Sequence, residues 1–157
     1  MYAVDMLDLR QTRNADEVIE QAQRTAGVRF PAALAASLRR HDGADPEQAF
    51  GFPPRMHPMS AARIADEAVM MCEVLESVGI DGNVGSWWHG RYLPVATDHG
   101  GDLLFLDGDR LGYHYEAGDV AFTGPADFTA LLEHTADALR GGDDDRPVVV
   151  DGELDWH

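Results

Sequence analysis

The 157-residue sequence predicts an α+β fold in which helices come first, a mixed and mostly antiparallel sheet follows, and a closing helix precedes a C-terminal hairpin. Apolar residues recur with helical spacing up to about residue 78, whereas four short apolar runs follow between residues 92 and 123. Ten of the 16 glycines lie between Gly79 and Gly124, where a succession of short strands must turn. We therefore expect helices packed on one sheet.

The first helix is predicted to begin at Asn14 and to end at Gly27. Asn14 is a favourable N-cap residue, and Asp16 and Glu17 place negative charge in the first turn, where the helix dipole favours it. Its predicted inward residues are Val18, Ile19, Ala22 and Ala26.

The second helix is predicted to open at Pro31, because proline suits the first helical position. Leu34 and Leu38 share one face of it, and Asp42-Gly43 ends it. Four prolines between residues 45 and 58 then predict a long irregular loop, and they are Pro46, Pro53, Pro54 and Pro58.

The third helix is predicted to be capped by Ser60 and ended by Gly79. Its apolar residues are spaced by four, three, four and three positions, which places them on one stripe. The members of this stripe are Ile64, Ala68, Met71, Leu75 and Val78.

Four strands are predicted in the second half, from apolar and aromatic runs at 92–96, 103–107, 111–115 and 119–123. Pro94 lacks the amide hydrogen that a ladder needs, so it predicts either a sheet edge or a bulge.

A closing helix is predicted from Pro125, with Asp127 in its first turn and Gly141-Gly142 at its end. Its predicted inner face consists of Phe128, Leu131, Leu132 and Leu139. Asp151-Gly152 between two apolar runs predicts a terminal hairpin, and we expect Trp156 to hold it on the body.

The charge of the chain restricts its partners. Twelve arginines and no lysines stand against 28 acidic residues, for a net charge of −16. Without lysine, Schiff-base chemistry and a phosphate-loop lysine are excluded. Residues 1–78 have a net charge of −4 and residues 79–157 one of −12. Negative charge disfavours nucleic acid and membrane surfaces and favours a basic protein partner.

The cellular location is predicted from the absence of targeting signals. Cys72 is the only cysteine, so no intrachain disulfide or cysteine-rich zinc site can form. The first ten residues lack a basic start and a signal-like apolar run, and no stretch reaches about 18 apolar residues. We expect a cytoplasmic protein.

The densest polar segment is Asp98, His99 and Asp102, followed by Asp107 and Asp109. Three interpretations stay open: a turn with a solvated acidic rim, a protein-binding surface, or a metal or catalytic site. The sequence contains neither G-x-S-x-G nor H-E-x-x-H, and the segment 107–112 lacks two ligands of a calcium loop. His99 and His114 are expected to be exposed or hydrogen-bonded.

Trp87 and Trp88 are adjacent, so in an extended chain their side chains point to opposite sides. Either one enters the core while the other stays partly exposed, or both are packed. An exposed tryptophan near acidic residues would serve as a binding anchor.

The order of these motifs resembles the SUKH superfamily, which includes Smi/Knr regulators of fungal cell-wall synthesis and many bacterial toxin-immunity proteins. The resemblance covers about residues 14–140. The segments that carry it are AGVRFPAALAASLRRHDG (26–43), the tryptophan pair, YLPVATDHGGDLLFLD (92–107), GDV (118–120) and PADFTALLEH (125–134). It implies one domain over 1–157 with a mostly antiparallel sheet, to which 143–157 adds an acidic linker and the hairpin.

The resemblance also implies a cytoplasmic binding protein that is not an enzyme and needs no cofactor. The leading hypothesis is an immunity protein that neutralises a basic toxin domain, such as a nuclease, since a nuclease site must be basic to hold phosphate. The alternatives are a regulatory scaffold in cell-wall or metabolic control, and a metal-dependent hydrolase around Asp98–Asp109. The candidate partner-binding residues are Trp87, Trp88, Asp98, His99, Asp102, Asp107 and Asp109.

Overall fold

The structure is a computed structural model that describes residues 2–44, 51–116, 118–141 and 146–156. Its helices are α1 Tyr2–Ala26, α2 Ala32–Arg40, α3 Ala61–Val78 and α4 Phe128–Leu139. Its strands are β1 His57–Pro58, β2 Tyr92–Thr97, β3 Leu103–Asp107, β4 Arg110–His114, β5 Val120–Ala121, β6 Pro147–Val150 and β7 Glu153–Trp156. This order confirms the predicted α+β fold, with helices first and a hairpin at the end.

Helix α1 begins earlier than predicted. It runs from Tyr2 through Asn14, which lies inside the helix and does not cap it, so the predicted start is wrong. Residues 2–13 contain no glycine or proline that would end a helix, and an interior asparagine costs at most about 0.7 kcal/mol. Ile19 and Ala22 are buried as predicted, whereas Val18 is exposed.

The junction between α2 and α3 is built from Asp42, Gly43 and Ser60. Asp42 Oδ1 accepts a hydrogen bond from the Ala61 amide (2.7 Å), and Ser60 Oγ accepts one from the Arg63 amide (3.2 Å). Gly43 has φ +79°, and a Cβ on it would lie 2.3 Å from the Ser60 nitrogen. The predicted Ser60 cap is confirmed. Helix α2 ends at Arg40 with an extended His41, just before the predicted Asp42-Gly43, and Asp42 bonds to the following helix.

The predicted inward stripe of α3 is confirmed for Ile64, Ala68, Met71 and Leu75, which are all buried. Val78 is exposed, so its predicted burial is wrong. Gly79 ends the helix one residue later with φ +92°. The packed face of α3 therefore ends at Leu75, one turn before the helix does.

The proline-rich loop is more regular than predicted in the part that the structure describes, since residues 45–50 lie outside it. The Phe52 and Met56 backbones exchange two hydrogen bonds (2.7 and 2.8 Å), and Pro58 lies in β1. The prediction that prolines exclude regular structure is thus wrong at 57–58. Strand β1 is an edge strand, where the missing amide of proline is tolerated.

The main sheet is antiparallel with the order β1-β2-β3-β4-β5. Strand β2 lies inside it, so of the two predictions for Pro94 the edge is wrong. The pairing of β2 with β3 shifts register between Pro94 and Ala96, which confirms the bulge. All six residues of β2 are buried.

Helix α4 is capped by Asp127, whose Oδ1 accepts a hydrogen bond from the Ala130 amide (2.8 Å). Phe128 and Leu131 are buried as predicted, but Leu132 and Leu139 are exposed and Ala138 is fully buried instead. Leu132 lies about 100° around the helix from Leu131, which turns it away from the core. The predicted inner face is therefore wrong for Leu132 and Leu139.

The terminal hairpin forms as predicted. Asp151 and Gly152 have φ values of 53° and 89°, as a two-residue type I′ turn requires. The indole Nε1 of Trp156 donates to the Gly51 carbonyl (2.9 Å), and Trp156 is buried. Arg55 donates two hydrogen bonds to the Asp155 carboxylate (3.2 and 2.8 Å). These contacts hold the hairpin on the body.

One cluster of buried residues joins the helices to the main sheet. It includes Ile19 of α1, Leu34 of α2, Ile64 of α3, Phe105 of β3 and Leu131 of α4. Among the residues that the structure describes, no helix has both the length and the apolarity needed to cross a membrane.

Candidate functional site

The turn between β2 and β3 contains three of the predicted site residues, Asp98, His99 and Asp102. Asp98 Oδ1 accepts hydrogen bonds from the Gly100 and Asp102 amides (2.8 and 2.9 Å), and Asp102 Oδ1 accepts one from the Glu116 amide (2.8 Å). In each of the two aspartates, one carboxylate oxygen therefore accepts the hydrogen bonds that fix the backbone conformation. The turn interpretation of this segment is correct, and the same turn presents acidic groups at the end of the sheet.

Side chains from β1, from β4 and from the two residues that follow β4 border this turn. The exposed ring of His99 lies 5.0 Å from that of His57, and the exposed Tyr115 ring lies 4.7 Å from that of Tyr113. Glu116 follows Tyr115 and lies against Gly101 of the turn. We call Asp98, His99, Asp102, Tyr115 and Glu116 the acidic end.

Within the part of the chain that the structure describes, no arginine forms a salt bridge with a carboxylate of the acidic end. Among the salt bridges of the described residues, none involves Asp98, Asp102 or Glu116. The charge of these carboxylates acts on a neighbouring side chain. Burial, together with the nearby Asp102 and Asp98, raises the pKa of Tyr113 to about 12. The acidic end is thus a site of uncompensated negative potential.

Asp107 and Asp109 lie at the other end of β3. Asp107 lies five positions after Asp102 along the extended strand, a distance of roughly 17 Å at about 3.4 Å per residue. The five polar residues that are near one another in sequence therefore do not form one compact site. Among the described residues, no three histidine, cysteine or acidic side chains are arranged to hold a metal ion.

The Asp107 end also differs in charge balance. Arg91 donates two hydrogen bonds to Asp107 (2.6 and 3.0 Å), and this contact raises the pKa of Arg91. The guanidinium of Arg110 lies 3.7 Å from the centre of the Phe122 ring, next to the exposed Asp109. Two arginines thus lie at this end of β3, and one of them pairs with Asp107.

The two tryptophans have different environments. Trp88 is completely buried, and its ring lies 5.5 Å from those of Tyr92 and Phe105. Trp87 is only partly buried at the edge of the core. Of the two alternatives for the pair, the one in which a single tryptophan enters the core and the other stays partly exposed describes the structure, with Trp87 packed against the edge of the core. Trp88 belongs to the core and offers no surface to a partner, unlike Trp87.

His114 lies between the two tryptophan rings, 5.2 Å from Trp87 and 5.6 Å from Trp88 and nearly perpendicular to both. It is buried, and neither ring nitrogen forms a hydrogen bond with another of the described residues. Burial lowers its pKa, which the nearby Asp102 partly opposes. The prediction that His114 is exposed or hydrogen-bonded is wrong, while His99 is exposed as predicted.

The burial of His114 follows from the register of the sheet. Gly112 lies opposite Phe105, and a Cβ at Gly112 would be 2.4 Å from Phe105 Cζ, so only glycine fits. Alternate residues of a strand share a face, so His114 lies on the same face as Gly112 and Phe105. The sequence indicates that Gly112 and His114 lie on the same face of a strand. Only the pairing of β4 with β3 shows that this face is buried.

Comparison with known families supplies the remaining information. Residues 14–139 match the model of the SMI1 / KNR4 family (SUKH-1). No curated protein matches the chain at a significant level. This family is compatible with an immunity or a regulatory protein, and its domains are generally not catalytic. Because the match covers more than half of the chain and the fold agrees with it, the protein belongs to the SMI1 / KNR4 (SUKH-1) family of the SUKH superfamily.

Proposed function

We propose that this chain is a cytoplasmic, non-enzymatic binding protein that neutralises a basic toxin domain. The observation that carries the proposal is the acidic end, where three carboxylates have no arginine partner among the described salt bridges. Such uncompensated charge lowers stability through self-repulsion, which a basic partner would relieve.

Electrostatics favour a toxin whose active site is basic, such as a nuclease. A cleft that holds phosphate must carry positive charge, and a surface of opposite sign accelerates association with it by steering. The exposed Tyr115 and the partly exposed Trp87 lie on this side of the protein, and aromatic residues of this kind often anchor interfaces. Charge would set the rate of association, and the aromatic contacts would set the lifetime of the complex.

The decisive experiment is co-purification with the toxin domain encoded beside this gene, followed by an activity assay of that toxin. We expect a stoichiometric complex whose association slows as salt increases, together with loss of toxin activity. A complex that forms without inhibition would favour the regulatory scaffold. If no basic protein domain encoded nearby binds, the proposal is wrong.

A charge-neutralising variant tests whether the acidic end is the contact surface. Asp98→Asn, Asp102→Asn and Glu116→Gln combined keep the side-chain oxygens that accept the turn hydrogen bonds but remove three charges. We expect association at low salt to slow about tenfold, within the range that electrostatic steering covers. The control changes the same number of exposed charges elsewhere, at Glu73, Glu76 and Glu133 to glutamine. Equal slowing in both variants would contradict a localised site.

A further inference from the structure

The hairpin of β6 and β7 is a two-stranded sheet separate from the main one. It begins after residue 139, where the family match ends, so it is an addition to the shared fold. A two-stranded hairpin is marginally stable by itself in water. Its contacts with the body come from β7, through Trp156 with Gly51 and Asp155 with Arg55.

One face of the hairpin is covered at its base and bare near its turn. Pro147 lies opposite Trp156, and Val149 lies opposite Leu154, so all four residues share a face. Trp156 is only 5% exposed, whereas Val149 is 70% and Leu154 56% exposed. Val150 on the other face is also exposed. Large apolar side chains therefore extend beyond the body of the protein.

The outer edge of β6 is also unpaired. Neither strand of the hairpin pairs with a further strand among the described residues. An edge strand presents amide and carbonyl groups that can pair with another chain. Pro147 has no amide hydrogen to offer at the first position of this edge. Val150 and Glu153 flank the two-residue turn and pair with each other, so Val148 and Val150 direct their amides toward β7, and Val149 presents its amide and carbonyl outward. An open edge beside exposed apolar side chains is the arrangement on which strand addition depends.

The negative charge of the hairpin segment determines which kind of partner can bind at this edge. Residues 143–157 contain six acidic residues and one arginine, a net charge of −5. A second copy would bring the same charge to the contact and be repelled. We propose that the edge of β6 takes up an extended segment of a partner protein in which basic residues alternate with apolar ones. This inference relies on the proposed function only in that the partner is a basic protein.

Alternation follows from the geometry of an added strand. Its side chains point in turn to the two faces of the enlarged sheet. Apolar residues would cover Val149 and Leu154 on one face. Basic residues would stand on the other face and near the turn, where they meet the acidic residues of this segment. The hairpin would thereby become a three-stranded sheet.

Nuclear magnetic resonance can test the inference with the full-length protein and synthetic peptides. The probe is a nine-residue blocked peptide that alternates arginine and valine. One control peptide has the same sequence with alternate amides N-methylated, and another replaces arginine with aspartate. We expect the probe to shift the backbone amides of residues 148–150, while neither control does, since one cannot pair and the other is repelled.

A pair of variants separates the hairpin from general charge attraction. Val149→Thr with Leu154→Thr removes the apolar contacts and places at both positions a β-branched residue that suits a strand. The matched control makes the same changes at the exposed Ile80 and Val84. We expect the hairpin variant to bind the probe at least fivefold more weakly and the control to bind as the wild type does. An unchanged indole signal of Trp156 shows that the hairpin is still docked.

Three results of the peptide titration would overturn the inference. They are equal binding of the N-methylated peptide, unchanged affinity of the hairpin variant, and absence of shifts at 148–150 with millimolar probe. A dimer that the hairpin variant loses would assign the edge to a second copy instead. If the toxin complex forms normally with the hairpin variant, the proposed function stands and this inference fails. If no toxin complex forms, the peptide titration still decides the role of the edge.

Discussion

The burial of His114 should make this protein less stable in mild acid. The folded protein holds the imidazole against two tryptophan rings, no other described residue forms a hydrogen bond with its nitrogens, and burial lowers its pKa. In the unfolded chain the pKa is that of an ordinary histidine, about 6.5. The unfolded state therefore binds more protons below this pH. Folding stability should be highest above about pH 6.5 and should fall as the pH decreases toward the folded-state pKa.

The size of the effect follows from proton linkage. One group that is protonated only in the unfolded state changes the free energy of unfolding by about 1.4 kcal/mol per pH unit. This slope applies from just below pH 6.5 down to the folded-state pKa. His114→Leu removes the titrating group and replaces unpartnered buried nitrogens with apolar atoms. We expect this variant to be at least as stable as the wild type at pH 7, because an unpaired buried polar group costs about 1–3 kcal/mol.

The assay is urea unfolding at several pH values between 5 and 8, followed by circular dichroism. The difference in free energy between wild type and His114→Leu isolates this residue from the general titration of 28 acidic side chains. The same replacement at the exposed His41 is the control, and it should follow the wild-type profile. The reasoning is refuted if the difference between wild type and His114→Leu stays constant with pH, or if the variant loses more than about 1 kcal/mol at pH 7.

Three further predictions concern the fold. Gly112→Ala should destabilise by about 2–3 kcal/mol, because its Cβ would overlap the fully buried Phe105 ring. Gly118→Ala, with space around it, is the control for urea unfolding, and equal losses would contradict the register argument. Asp42→Ala should cost about 1–2 kcal/mol through lost capping of α3, whereas Asp42→Asn keeps the acceptor and should recover most of this. No difference between these two variants would argue against the cap. Trp156→Phe should cost about 1 kcal/mol by removing the bond to Gly51, and limited proteolysis should then cut residues 146–156 faster. Unchanged cleavage would contradict the role of Trp156 as the anchor.

Much of the fold could be predicted because the deciding signals are local. Ser60 caps α3, and Asp151 with Gly152 turns the hairpin, since these functions depend on a residue and its nearest neighbours. The prediction failed where a helix boundary depends on a longer stretch of the chain. Asn14 is compatible with a cap, but nothing in residues 2–13 ends the helix, so α1 continues through it.

The candidate site likewise contains one feature that follows from local sequence and one that depends on the pairing of strands. The turn at 98–102 was recognisable from its aspartates and glycines, because Asp98 bonds to amides two and four residues ahead. The pairing of Arg91 with Asp107 was not recognisable. It depends on β2 and β3 being antiparallel with Tyr92 opposite Asp107, which sets Arg91 beside that carboxylate.

The sequence by itself determined the α+β class, the order of helices and strands, the excess negative charge and the family. These properties depend on composition, local chemistry and order along the chain. Only the tertiary structure decided that Asp98 and Asp102 form no salt bridge with another described residue while Arg91 pairs with Asp107. It also decided that Trp88 is buried while Trp87 is partly exposed, and that the His114 ring contacts both. The physical reason is that strand register brings together residues far apart in sequence, and charge compensation and burial depend on those neighbours.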